Sequence, residues 1–227
     1  MSQSNRGRVP SGEQVSEILR NASIRARICV GGLAYAGLHP ESLGHQRFED
    51  GIKLGDLPEL DLKTLAFLRT PTQVVIRANI SKAGHTYRTF FPETTCRDIE
   101  AYLDQRRGAR EREELDSESP LVAEYSSYEK YGRPGRHVVT TIVNRDIRDA
   151  IRPKFPYEPD VLRNFFSTRL LLAVSEGVVN PDYRIYWMGQ TGYVSTRYSS
   201  NTMLPDDLIE DMRKSYERCL PYLVGAG

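Results

Sequence analysis

Arg163, Lys82 and Tyr198 are the residues whose types and settings could do chemistry in this 227-residue chain. Arg163 stands early in DVLRNFFSTRLLLAV, where the apolar residues Leu162, Phe165, Phe166, Leu170 and Val174 recur at helical spacing and commit one face to a core. A guanidinium cannot shed its charge when desolvated, so Arg163 is expected to find an anionic partner, either a carboxylate of the fold or a bound phosphate. Lys82 lies in NISKAGH, the turn between two strand-like runs, where a lysine is as a rule a solvated surface charge. Tyr198 closes YWMGQTGYVSTRY, a short segment reached after the arginine helix and a loop. His45, His85 and His137 have no metal-ligand spacing, and none sits beside a carboxylate and a serine as a triad would require.

The elements that must position these residues are legible in outline. Ser11 with Gln14 makes a capping box at the start of a first helix. A second helix from about Ser23 is broken by Gly37-Leu38-His39-Pro40. TQVVIRA and the run from Thr86 to Phe91 read as the arms of a β-hairpin, and Cys96 to Arg107 as an amphipathic helix. The stretch from Asp56 to Leu68 reads as a loop with short structure, and RRGAREREELDSESP as a solvated loop. Between Tyr128 and Lys154 the basic residues outnumber the acidic ones. Arg133, Arg136, Arg145 and Arg148 are candidates there for phosphate contact, with a solvated loop and helix face as the equal alternative. The formal net charge of +1 neither supports nor excludes a polyanionic partner. Cys29, Cys96 and Cys219 form no Cys-x-x-Cys pair, so neither a disulfide framework nor a zinc knuckle is indicated. No apolar run is long enough to cross a bilayer and the start of the chain has no signal-peptide core, which points to a cytoplasmic, intracellular protein without a membrane partner.

LRNFFSTRLL followed by YWMGQTGYVSTRYSSN resembles the second conserved box of the tyrosine recombinases, the phage-type integrases. The continuation TMLPDDLIEDMRKSYERC, the hairpin SKAGHTYRTFF and the first-box-like AYAGLHPESLG extend the likeness over most of the chain. The resemblance implies a mainly α fold with a small β-sheet (α+β), that of the recombinase catalytic domain. It places this domain at 11–223 behind a disordered arm at 1–10, with the N-terminal core-binding domain of the family absent.

Carried over by position, Tyr198 takes the place of the nucleophile, Arg163 that of the second-box arginine and Lys82 that of the hairpin lysine that protonates the departing 5′ oxygen. Three positions depart from the family pattern: His39 stands for the first-box arginine, Asp160 for a histidine, and Gln190 for the histidine of Met-Gly-His. His85, beside the hairpin lysine, is expected to touch DNA together with Lys82, Arg163 and the four arginines of the basic stretch. A tyrosine nucleophile conserves bond energy in a covalent 3′-phosphotyrosine link and needs no metal or other cofactor. Losing one preorganised donor to the phosphorane costs about 3 kcal/mol, so the departures imply impaired strand cleavage and rejoining. Protonation below about pH 6.5 would let His39 imitate part of an arginine. The implied partners are double-stranded DNA and other recombinase protomers, with no small-molecule substrate. A catalytically degenerate DNA-binding module that regulates or competes with an intact recombinase is the alternative, and an interaction protein that has lost DNA is a third.

Overall fold

Ser11 accepts a hydrogen bond from the Gln14 backbone N–H at 3.2 Å and its own N–H is returned to Gln14 Oε1 at 2.9 Å, so the expected capping box starts helix α1 (Gly12–Asn21). The computed structural model describes residues 9–45, 47, 49–109, 114–124, 135–198 and 204–225. Most of the expected N-terminal arm, and Arg133, lie outside these residues. Pro10, which the sequence assigned to the arm, is instead buried, and Val9 packs against the core.

Helix α2 (Ile24–Ala36), capped by Ser23, is apolar on every side from Ile28 onward and is buried there, while Arg25 and Arg27 of its first turn pair with Asp146 and Asp98. It packs against α1, α4 (Glu93–Ala109), α5 (Thr140–Ile151) and α6 (Asp160–Ser175), and so forms the centre of the domain. Its end is set by Gly37, whose φ of 66° suits glycine and where a Cβ would come within 2.5 Å of the Phe166 ring. Pro40 then opens the short helix α3 (Pro40–Leu43).

The expected small sheet is three separate two-stranded antiparallel pairs among the described residues: β1 (Leu60–Asp61) with β2 (Ala66–Phe67), β3 (Thr72–Ile76) with β4 (Tyr87–Phe91), and β5 (Ala123–Glu124) with β6 (Arg136–His137). The β3–β4 pair is the expected hairpin, in register from Thr72 opposite Phe91 to Ile76 opposite Tyr87. Between Arg163 and Tyr198 the chain is more regular than the expected loop. Asn180 caps helix α7 (Pro181–Trp187), and α8 (Tyr193–Arg197) ends immediately before Tyr198. Seven- and five-residue helices are too short to register as periodicity, which is why the sequence pattern missed them.

Helix α9 (Asp206–Leu223) closes the fold with the acidic first turn expected after Leu204-Pro205. Its Tyr216 donates to the Tyr35 carbonyl at 2.7 Å and packs edge-on against Trp187, whose ring also meets Phe90 of β4. Arg213, only 3% exposed, bonds both oxygens of Glu59 and the Pro71 carbonyl, while Glu59 also receives the Gln73 N–H at 2.8 Å. This pair sews the last helix to the base of the hairpin. Breaking a buried pair leaves its partner poorly compensated, so Glu59→Ala is expected to cost about 3 kcal/mol in urea denaturation, because among the described residues Arg213 then keeps the Pro71 carbonyl, Glu210 at 3.4 Å and the face of the Phe90 ring.

Candidate functional site

The hairpin connection that carries Lys82 is fastened at its root. Arg77 bonds Asp50 at 2.7 Å, Asp56 at 2.9 Å and the Gly51 carbonyl at 2.7 Å, and the Ala78 N–H donates to Thr86 Oγ1 at 3.2 Å across the base of the connection. A 3-10 turn at Ala78–Ile80 then presents Lys82, which is exposed and makes no ion pair among the described residues. Lys82 thus combines a solvated charge with a constrained backbone.

Arg163 is half-buried in the first turns of α6, and its partners within the fold are backbone carbonyls rather than the carboxylate that the sequence offered as one alternative. The guanidinium donates to the carbonyl of Gly37, at the end of α2, and to that of Met188 at 2.8 Å, at the end of α7. No carboxylate pairs with it among the described residues. Carbonyls at a helix C-terminus carry partial negative charge, enough to hold a guanidinium without neutralising it. Burial pulls the Arg163 pKa down from the ordinary value, and Tyr87 and Glu41 oppose that pull. The donors not spent on the two carbonyls remain available to a ligand.

These two cations share one open pocket of about 450 Å³, lined by His39, Ser81, Lys82, Tyr87, Arg163 and Gln190 together with the turn around Gly189. Among the described residues no carboxylate lines it. Ser81 and Tyr87 were not singled out from the sequence. The alternation in YRTFF puts Tyr87 on the buried face of β4, where it is 1% exposed, but nothing local says that its ring reaches a pocket. Gly189 has a φ of 65° and approaches the Tyr87 ring so closely that a Cβ would lie 2.5 Å away.

The remaining candidates are placed less centrally. Tyr198 is half-buried after α8, its N–H bonded to the Val194 carbonyl at 2.9 Å, and it is not among the pocket-lining residues. Asp160 opens α6, is exposed and lies outside the lining, though its charge reaches His39. His85 stacks edge-on with Tyr87 at 6.2 Å, and its buried Nε2 has no hydrogen-bond partner among the described residues. Arg136, Arg145 and Arg148 each have a carboxylate nearby, Glu124 at 3.6 Å, Asp146 at 3.9 Å and Glu158 at 3.0 Å respectively. Their local charge is therefore partly offset, which weakens the basic stretch as a phosphate surface.

His39, at the N-cap of α3, departs most from expectation. Burial, then the charges of Arg163 and Lys82, push its pKa down to about 4, against weaker opposing effects of Glu41 and Asp160. Imidazole in this pocket is therefore neutral near pH 7, and the expected gain of charge is displaced from pH 6.5 toward pH 4 in the free protein. A folded-state pKa below the unfolded one means that the unfolded chain binds the proton first as the pH falls. The stability contributed by neutral His39 is present above pH 6.5 and is lost as the pH drops toward 4. Titration by NMR is expected to give a His39 midpoint near 4 that rises when duplex DNA is added, and His39→Gln is expected to reduce the loss of urea resistance between pH 6.5 and 4.

No protein-family model matches the chain, and no curated protein matches it. Solved structures do. The XerA recombinase matches with a TM-score of 0.55 and 19% identity over 92% of this chain and 65% of its own. An integrase from mycobacterium phage Brujita matches with a TM-score of 0.57 and 18% identity over 96% of this chain and 60% of its own. The XerH site-specific recombinase, bound to a palindromic difH substrate in a post-cleavage complex, matches with a TM-score of 0.53 and 13% identity over 95% and 55%. This chain thus spans 55–65% of the length of those proteins. At such identities the likeness is one of architecture, and the chain has the catalytic-domain fold of the tyrosine recombinases.

Proposed function

We propose that this chain binds double-stranded DNA and breaks and rejoins one strand through Tyr198, at a rate reduced by its incomplete set of phosphate-binding groups. The observation that supports this reading is the convergence of Lys82 and Arg163, from distant parts of the sequence, in a pocket that no carboxylate lines among the described residues. Such a pocket attracts a phosphodiester and leaves its charge for the reaction rather than for an internal ion pair. In the proposed step the Tyr198 oxygen attacks phosphorus and its proton passes to solvent. Arg163 and Gln190 donate to the non-bridging oxygens, and the P–O5′ bond breaks as the Lys82 ammonium protonates the leaving oxygen. Tyrosine attack exchanges one phosphodiester for another, and the 5′ hydroxyl restores the strand by attacking the phosphotyrosine bond in the reverse reaction, so no high-energy cofactor is consumed. The scheme requires bound DNA to bring the Tyr198 hydroxyl and the pocket together.

Neutral His39 supports reduced activity, since the pocket lacks the planar cation that a first-box arginine would supply. The second reading, a DNA-binding module without catalysis, is favoured by the position of Tyr198 outside the pocket lining. Other copies of a recombinase are proposed as partners under either reading.

A nicked suicide duplex separates the two. The wild type is expected to give a small yield of covalent protein–DNA complex on a denaturing gel, Tyr198→Phe none, and His39→Arg a rate about a hundredfold higher, the effect of one preorganised donor. Duplex binding by both wild type and His39→Arg without any covalent product would establish the second reading.

A further inference from the structure

From Tyr183 to Pro205 the sequence carries two arginines, Arg184 and Arg197, and no acidic residue. This stretch supplies Met188, Gly189, Gln190 and Thr191 to the pocket and then runs into α8. One side of α8 is docked: Val194 and Ser195 are buried, the Gly192 N–H donates to Ser195 Oγ at 2.8 Å, and Gly192 backs onto Ile185 of α7 with no room for a Cβ. The other side carries Tyr193 and Arg197, four residues apart and therefore neighbours on the helix surface. Arg197 is exposed, and Tyr193 is 61% exposed, a large aromatic left in solvent two residues after the pocket-lining Thr191. Arg197 Nη1 donates to the Tyr193 phenol at 2.8 Å, and the guanidinium carbon lies 5.9 Å from the centre of the tyrosine ring. A guanidinium only donates, so the phenol oxygen accepts this bond and keeps its own hydrogen to give away. No carboxylate pairs with Arg197 among the described residues.

We propose that Tyr193 and Arg197 form a second phosphate site, a two-residue clamp that holds a backbone phosphate of DNA beside the one in the Lys82–Arg163 pocket. Arg197 N–H groups donate to one phosphate oxygen and the Tyr193 O–H to another. The brace on Tyr193 holds the guanidinium in one orientation before the anion arrives, which reduces the freedom lost on binding. A nucleic acid fits this surface better than an acidic peptide, because the acid-free segment leads directly from a pocket suited to a phosphodiester, and a strand supplies further phosphates at regular spacing. The clamp stands immediately before Tyr198, so it fastens to DNA the segment whose tyrosine has to meet the pocket. The proposal rests on the reading of this chain as a DNA-binding protein.

The test measures the affinity of the full chain for two labelled duplexes of unrelated sequence, each of about 30 base pairs or three helical turns, as salt is varied. Both side chains are exposed, so their variants are expected to fold as the wild type does. Arg197→Gln is expected to bind about tenfold more weakly, the value of a hydrogen bond to a charged group, and its plot of log affinity against log salt to be shallower by about one. Tyr193→Phe keeps the ring and removes the hydroxyl, and is expected to bind about threefold more weakly with the wild-type slope. The double variant is expected to lose less than the product of the two effects, because the hydroxyl acts partly by orienting Arg197. Both duplexes should show the same losses, since a phosphate contact reads no base. Wild-type affinity in Arg197→Gln or in Tyr193→Phe overturns the clamp. So does a loss in Arg197→Gln with an unchanged slope, which would report a disturbed α8, and so do effects that simply multiply in the double variant or a loss confined to one sequence. Arg163→Ala tells the two failures apart: weakened binding there beside intact binding in Arg197→Gln removes the clamp and leaves the pocket reading, whereas a wild type that binds neither duplex at low salt removes both.

Discussion

The clasp of Arg163 on two backbone carbonyls is the interaction on which the site depends. Gly37 ends the central helix α2, Met188 follows α7, and Arg163 itself belongs to α6, so one guanidinium joins three walls of the pocket. A buried cation must be satisfied, and two neutral acceptors satisfy it without cancelling it. Two other arginines in the fold make the contrast clear. Arg77 is consumed by Asp50 and Asp56, and Arg213 by Glu59, and both serve as fasteners. Arg163 fastens as well, yet it keeps its charge directed at an open space.

That retained charge has a cost at the next residue along the wall. Lys82 and Arg163 together oppose protonation of His39, which burial already disfavours, so a third cation forms there only as the pH falls toward 4. The same field would attract an anion, and an anion would reverse its effect on the imidazole. A near-neutral chain can thus carry a strongly polarised site, because the acids that balance its total charge are spent elsewhere in ion pairs such as Asp146 with Arg25 and Glu158 with Arg148.

The supporting structure is aromatic and ionic rather than purely aliphatic. Trp187 lies between Phe90 of the hairpin and Tyr216 of the last helix, and directly precedes the Met188 carbonyl that Arg163 holds. Packing at the centre of the domain is therefore transmitted to the pocket through a single residue step. Close approach of Gly37 to Phe166 and of Gly189 to Tyr87 sets both turns at a separation that a side chain would prevent.

Local features of this protein were written in the sequence: the Ser11–Gln14 cap, the hairpin register region, the arginine helix and the acidic start of α9 all follow from short-range pattern and turn chemistry. The resemblance to the tyrosine recombinases also pointed correctly to the fold and named Lys82, Arg163, His39 and Gln190, which tertiary structure then assembled in one pocket. Only the folded chain decided that Arg163 is held by carbonyls instead of a carboxylate of the fold, that His39 is neutral near pH 7, that Tyr87 and Ser81 belong to the site, and that Tyr198 lies outside its lining. The physical reason is common to all four. Periodicity and spacing report which face of an element is buried, whereas the partner of a polar atom and the charge of a titratable group depend on what the rest of the chain brings beside it.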